Sequence, residues 1–282
     1  MAGSRLSRNR RGFSLVIHGL AWTYGALLAV PLYFLAVSGF KSNSSIFNAP
    51  FALPESLDPV NFINAWTRAG LGNGLVNSVL TTVGAEILTL LLAIPAAYAI
   101  ARSSGRIGLL LERTFALGLL IPAFAALVPT LLLSVFVGLF HTRTFFVLFQ
   151  AASALPLSVI LLAQFMRTVP VELEESARID GANRLTILIE VYLPIVVPGI
   201  VMVMILNFLG FWNEYLFALI LIGPDPELRT VQVALPNLAT QTDTQYAVLL
   251  AGCLITMVPV YLLYILVQRR FEDALTQGAV KG

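Results

Sequence analysis

Apolar positions along this chain gather into long runs separated by short polar connections. A helix crosses a bilayer core about 30 Å thick with roughly 20 mostly apolar residues. Six runs are long enough: Phe13–Phe40, Gly74–Ala101, Thr114–Val137, Thr144–Met166, Ile195–Ile222 and Tyr246–Val267. None shows the ten-residue alternation of an outer-membrane strand, so the pattern predicts six helices. Each run contains proline: Pro31, Pro95, Pro122 with Pro129, Pro156, Pro198 and Pro259. A proline removes a backbone hydrogen bond and bends the helix. Such bends either only shape the bundle or let a cavity open alternately to each side.

Composition strengthens this picture. The 282 residues are 58% hydrophobic and 11% charged, against about 25% charged in soluble domains. So few charges cannot coat a water-facing globule, and an all-α integral membrane protein is expected. The net charge of +2 gives no reason to expect a nucleic-acid partner. The first run follows Arg5, Arg8, Arg10 and Arg11, like a signal peptide, and Ala36-Val37-Ser38 would pass as a cleavage site. Its apolar part is about twice a signal h-region, which predicts an uncleaved anchor.

Orientation follows from where Lys and Arg fall. With the N-terminus in the cytoplasm, 13 of the 17 Lys and Arg lie inside, and only Lys41, Arg68, Arg143 and Arg229 lie outside. Both termini are then cytoplasmic. The organisation predicted is a basic N-terminus (1–12), a single transmembrane domain (13–268) and a C-terminal tail (269–282). Two connections are long: an outside segment, Lys41–Gly70, with Pro50, Pro54 and Pro59, and a charged inside segment, Arg167–Pro194.

Candidate chemistry is sparse. A single cysteine, Cys253, excludes a disulfide within the chain and lies in an apolar run, where it reads as a small buried hydrophobe. With only His18 and His141 besides, no cluster has metal-ligand spacing, so no metal site is expected. Two carboxylates lie inside apolar runs, where an ionised group costs about 2.5–3.5 kcal/mol on insertion scales and must face the bundle or a wet cavity. Glu86, about two and a half turns from Asn77, suits either a helix-to-helix hydrogen bond or a place on a solute pathway. Glu214 lies in Trp212-Asn213-Glu214-Tyr215, either an aromatic platform for a polyhydroxylated solute or an interfacial belt with a snorkelling carboxylate.

The inside segment carries most of the argument. Pro170 suits a first helical turn, and Glu172, Glu174 and Glu175 lie where the helix dipole favours anions. Glu174 and Arg178 form an i,i+4 pair in the favourable order. Gly181 fits a C′ position with positive φ, and Asn183 can cap a second helix, Arg184 to Tyr192. The result is a helix, a sharp turn and a second helix on the cytoplasmic side between the fourth and fifth spans. It is either a docking surface or an amphipathic hairpin lying on the membrane.

This hairpin resembles the signature of permease subunits of binding-protein-dependent ABC importers. Their pattern is Glu-Ala-Ala, three residues, Gly, nine residues, Ile, one residue, Leu-Pro. Here it runs Glu175-Ser176-Ala177, then Gly181, then Val191, Tyr192 and Leu193-Pro194. Further stretches resemble the maltose-type, carbohydrate-uptake branch with six spans. They are Phe40-Lys41 with Ile46-Phe47 and Leu53-Pro54, Gly72 to Asn77-Ser78, Ala96-Ala97-Tyr98-Ala99 with Ala101-Arg102, Trp212-Asn213-Glu214, and the tail Gly278-Ala279-Val280-Lys281-Gly282. The likeness runs over nearly the whole chain.

That resemblance implies a sugar importer of several chains working by alternating access. Partners would be a second homologous permease, a dimer of cytoplasmic ABC ATPase, an extracytoplasmic solute-binding protein meeting residues about 230–245, and membrane lipid. The hairpin would dock on the ATPase through Glu174, Glu175, Ser176, Ala177, Asp180, Gly181, Leu193 and Pro194. The tail, Gly278, Ala279, Val280, Lys281 and Gly282, would reach the ATPase dimer interface. The translocation pathway would draw on Asn77, Glu86, Trp212, Asn213, Glu214 and Tyr215. No cofactor is expected in this chain, with ATP and Mg²⁺ on the partner. Independently, the only lysines are Lys41 and Lys281 and neither follows a glycine, so no phosphate loop of the Gly-x-x-x-x-Gly-Lys-Ser/Thr kind exists. The competing expectation is an ion-coupled transporter using Glu86 and Glu214. Six spans and no inverted repeat weigh against it, and no His-Asp or Ser-His pair at the membrane face suggests an enzyme.

Overall fold

The computed structural model describes residues 3–103, 105–239 and 245–279, and all regular structure in them is helical. Five helices are long and apolar enough to cross a bilayer, and a sixth crossing needs one sharply bent pair of helices. The chain divides into two compact units, Met1–Ala69 with Asn237–Thr256, and Gly70–Pro236 with Met257–Gly282.

In the first unit, α1 (Gly3–Ser38) exposes nearly all of its apolar surface over Val16–Ser38. Trp22, Leu20 and Leu27 point outward, as expected where lipid replaces water as the surroundings. The segment Lys41–Gly70 then folds into α2 (Asn43–Asn48) and α3 (Val60–Arg68). Lys41, 5% exposed, donates to the Ala49 and Pro50 carbonyls at 3.0 Å each. Asn61 donates to the Gly39 and Lys41 carbonyls, so the prolines sit in a pinned fold rather than a loose loop. Asn43 accepts from the Ala247 N–H at 3.0 Å, which ties this cap to the start of α13 (Tyr246–Ala279).

The second unit is built on α4 (Leu71–Arg102). Its polar residues Asn77, Ser78, Thr81, Thr82, Glu86 and Thr89 are buried, whereas Val76, Leu80, Val83, Ile87 and Leu91 are exposed. The period is helical but the sense is reversed from a soluble protein. Small and polar side chains face neighbouring helices, letting backbones approach, and branched apolar ones face outward. α4 packs along α7 (Arg143–Arg167) and α10 (Leu193–Trp212). Their halves nearest the 167–194 segment enclose a core of Ala93, Ala97, Val159, Leu162, Met166 and Val196. A Cβ placed on Gly199 of α10 would overlap the Phe165 ring of α7, so glycine is needed there for close approach.

The described elements correct two expected spans. The run Thr114–Val137 is not one straight helix: α5 (Arg106–Gly118) and α6 (Ala123–Phe136) meet at 93°. Pro122 stands at the break in extended backbone, φ −65 and ψ 129. It has no N–H to give and disfavours helix in the residue before it. The run Ile195–Ile222 is also broken. α10 ends at Trp212, and a separate α11 (Leu216–Leu221) begins after Asn213-Glu214-Tyr215. Hydrophobicity alone shows neither break, because the interrupting residues are few and the flanking runs stay apolar.

Candidate functional site

The hairpin between α7 and α10 forms as its residues require. α8 (Val171–Ile179) starts after Pro170 and carries Glu172 and Glu174 in its first turn and Arg178 in its last. It ends in a Schellman motif: the Gly181 N–H donates to the Arg178 carbonyl at 3.0 Å and the Ala182 N–H to the Ala177 carbonyl at 2.9 Å. Gly181 has φ +85, and a Cβ there would meet nothing within 4 Å. The demand for glycine is therefore conformational and not steric. Asn183 then accepts from the Leu185 and Thr186 N–H groups at 2.9 and 3.0 Å. It caps α9 (Arg184–Thr186).

The second helix differs from the expected plain α-helix. A π segment, Ile187–Tyr192, follows α9 and runs without interruption into α10. The Leu193 N–H reaches back five residues to the Leu188 carbonyl. Pro194, next in sequence, has no N–H to donate, and a locally widened helix accommodates the missing bond. The hairpin is thus continuous with a long apolar helix, and Leu193-Pro194 marks a change of helical pitch in place of a junction.

Burial separates the two neighbouring carboxylates that the sequence leaves alike. Glu175, Ser176, Asp180, Gly181 and Pro194 are exposed, and Ala177 and Leu193 are half-buried. Glu174 is 3% exposed and is the only buried residue of α8. Its carboxylate accepts from the Tyr192 hydroxyl at 2.7 Å and the Tyr98 hydroxyl at 3.3 Å. It also pairs with Arg178 at 2.5 Å and Arg102 at 3.2 Å. Arg102 further donates to the Tyr192 hydroxyl and to the Val169 carbonyl, and its guanidinium lies 5.0 Å from the Tyr192 ring centroid. Burial by itself would raise the Glu174 pKa. The Tyr192 hydroxyl and the charges of Arg178 and Arg102 outweigh it and hold the carboxyl below the usual range.

The residues expected along a pathway do not form one cluster. Asn77 donates to the Glu227 and Arg229 carbonyls at 3.0 Å each, and Ser78 accepts from the Val231 N–H at 2.9 Å. The start of α4 therefore pins the segment leading into α12 (Val231–Ala234). Glu86 meets Asn207 of α10 at 3.4 Å rather than Asn77, and Asn207 is bonded to Ser158 of α7. The second Glu86 oxygen is buried and has no hydrogen-bond partner among the described residues. Trp212 is buried and stacks on Phe208 with centroids 5.6 Å apart, so it does not join Tyr215 in an open platform. Glu214 accepts from the Phe217 N–H at 2.9 Å and so starts α11. Asn213 and Tyr215 are exposed at the helix break. Of the tail, residues 280–282 lie outside the described residues, and Gly278 and Ala279 are the end of α13. Sequence reasoning missed Tyr98, Arg102 and Tyr192 as partners of Glu174. The signal was present in their polar heads at the ends of apolar runs.

Comparison with known proteins agrees with this geometry. Residues 89–277 match the family model described as "Binding-protein-dependent transport system inner membrane component". The diacetylchitobiose uptake system permease protein NgcG of Streptomyces coelicolor is 35% identical, over 100% of this chain and 93% of that protein. The melibiose/raffinose/stachyose import permease protein MelC of Bacillus subtilis is 29% identical, over 90% and 91%. Among solved structures, a chain of a bacterial ABC transporter involved in import of the acidic polysaccharide alginate superposes with a TM-score of 0.81 at 22% identity, covering 94% of this chain and 98% of that one. The ion-coupled alternative finds no support among these relatives. The chain belongs to the family of inner membrane permease components of binding-protein-dependent ABC transport systems.

Proposed function

We propose that this chain is one permease subunit of an ATP-driven importer for a sugar or oligosaccharide, driven by alternating access. The substrate class is argued from the relatives, whose names specify diacetylchitobiose and melibiose, raffinose and stachyose. The chain spans the membrane six times when the bent α5–α6 pair counts as one crossing. Both termini and the hairpin are cytoplasmic, on the distribution of Lys and Arg. A second permease completes the pathway, a cytoplasmic ATPase dimer holds ATP and Mg²⁺, and an extracytoplasmic binding protein delivers the solute.

The observation that carries the coupling role is the hairpin's division of labour. Its outer face offers Glu175, Ser176, Asp180 and the Gly181 turn, while Glu174 anchors it from behind. The tail from Gly278 to Gly282 supplies a second ATPase contact. Solute passes beside Glu86 and the break at Asn213, Glu214 and Tyr215. An interrupted helix at membrane depth offers polar backbone only where it lines protein or a wet cavity. Glu175→Lys reverses charge on the exposed face without touching the buried one. We expect the variant to insert normally, to lose the co-purifying ATPase and to take up no labelled raffinose or diacetylchitobiose. Normal uptake with the ATPase retained would reject the docking role.

A further inference from the structure

α8 has a feature that docking alone does not explain. Of its nine residues only Glu174 is buried, so the helix lacks the apolar stripe that normally holds a helix to its neighbours. Its polar attachment runs through one carboxylate. The partners of that carboxylate come from three elements: Tyr98 and Arg102 from the end of α4, Tyr192 from the π segment, and Arg178 from α8 itself. Arg102 also donates to the Val169 carbonyl at 2.5 Å, just before α8 begins. The Tyr98 and Tyr192 rings meet edge to face, with centroids 4.9 Å apart.

We propose that Glu174 is a positioning residue that latches the coupling hairpin to α4, so that displacement of the exposed face drags α4 with it. The proposal rests on the hairpin being the ATPase contact. Without the latch α8 would pivot about its flanks: of α8 itself only half-buried Ala177 reaches the core, which Val169, Ile187 and Leu188 join from either side of it. With it, the hairpin and α4 move as one body. α4 carries Glu86 twelve residues from Tyr98, about 18 Å along the axis, so the movement is delivered to the polar interior. A buried carboxylate with two guanidinium and two phenol partners suits this task, because each partner lost leaves the desolvated charge less well compensated.

The test uses the complete complex of this chain with its ATPase, partner permease and binding protein, in a Cys253→Ala background carrying Asn73→Cys at the exposed polar start of α4. The rate of N-ethylmaleimide labelling is measured with and without ATP plus vanadate. The parent should show a change of about five-fold or more, and Glu174→Gln should reduce it below about two-fold while the ATPase stays bound. Tyr192→Phe, which removes one hydroxyl and no charge, should give an intermediate loss and keeps the test open if Glu174→Gln does not accumulate. Glu174→Gln combined with Arg102→Gln should lose no more than Glu174→Gln alone. An unchanged ATP response in both single variants would overturn the latch, and so would the absence of any response in the parent. Failure of docking itself is separate: it shows as ATPase retained by Glu175→Lys, whatever Glu174 does.

Discussion

At the scale of single residues, position in the chain says less than direction in space. Glu174 and Glu175 are adjacent, carry the same charge and lie equally well for the helix dipole, yet one is buried and the other exposed. Which of the two turns inward depends on how α8 is rotated against α4. Local sequence does not encode that rotation, and the Glu174–Arg178 pair is its only legible part. Gly181 is the opposite case, because positive φ selects glycine from local geometry alone. Gly181→Ala should cost about 1 kcal/mol through the left-handed backbone, lowering the melting temperature of the purified protein modestly. Gly181→Pro should abolish uptake without preventing insertion, since its ring cannot reach φ +85 and it removes the N–H given to Arg178. The Glu174 carboxyl, held below its ordinary pKa, stabilises the hairpin fully above the unfolded value of about 4.3. That contribution fades as pH falls through the lower folded value. Protease cleavage around Arg178 should therefore be unchanged from pH 7 to about 5 and rise below about pH 4, whereas Glu174→Gln should remove the pH dependence.

At the scale of elements, the apolar runs were legible and their interruptions were not. The second and fourth spans were expected at Gly74–Ala101 and Thr144–Met166 and are found as Leu71–Arg102 and Arg143–Arg167. Proline in an apolar run predicts a bend but not its size, and Asn213-Glu214-Tyr215 reads as chemistry within a span. That is why the 93° turn before Pro122 and the break after Trp212 were not foreseen. The π segment before Pro194 went unforeseen for the same reason. Packing between elements is set by small residues whose value appears only against their neighbours. Gly199→Ala drives a methyl into the Phe165 ring, and overpacking of this kind costs about 1–3 kcal/mol. We expect a lower melting temperature in detergent for Gly199→Ala, and recovery when it is combined with Phe165→Leu. An unchanged melting temperature would mean that α7 and α10 approach less closely than their geometry states.

For the whole molecule, the family was readable because the hairpin motif combines a conformational glycine, a capping asparagine and a helix-initiating proline over fixed spacing. The all-helical class was readable from the apolar runs. What it presses against was not readable, since Tyr98 and Arg102 come from a helix some 70 residues earlier. The account stands on one claim: the exposed face around Ser176 is on the cytoplasmic side and is covered by an ATPase. The direct measurement is labelling of Ser176→Cys, in a Cys253→Ala background, with a membrane-impermeant maleimide. Inside-out vesicles should label and right-side-out vesicles should not, and added ATPase should protect the site. Labelling from the outer side, or equal labelling with and without the ATPase, would contradict the account.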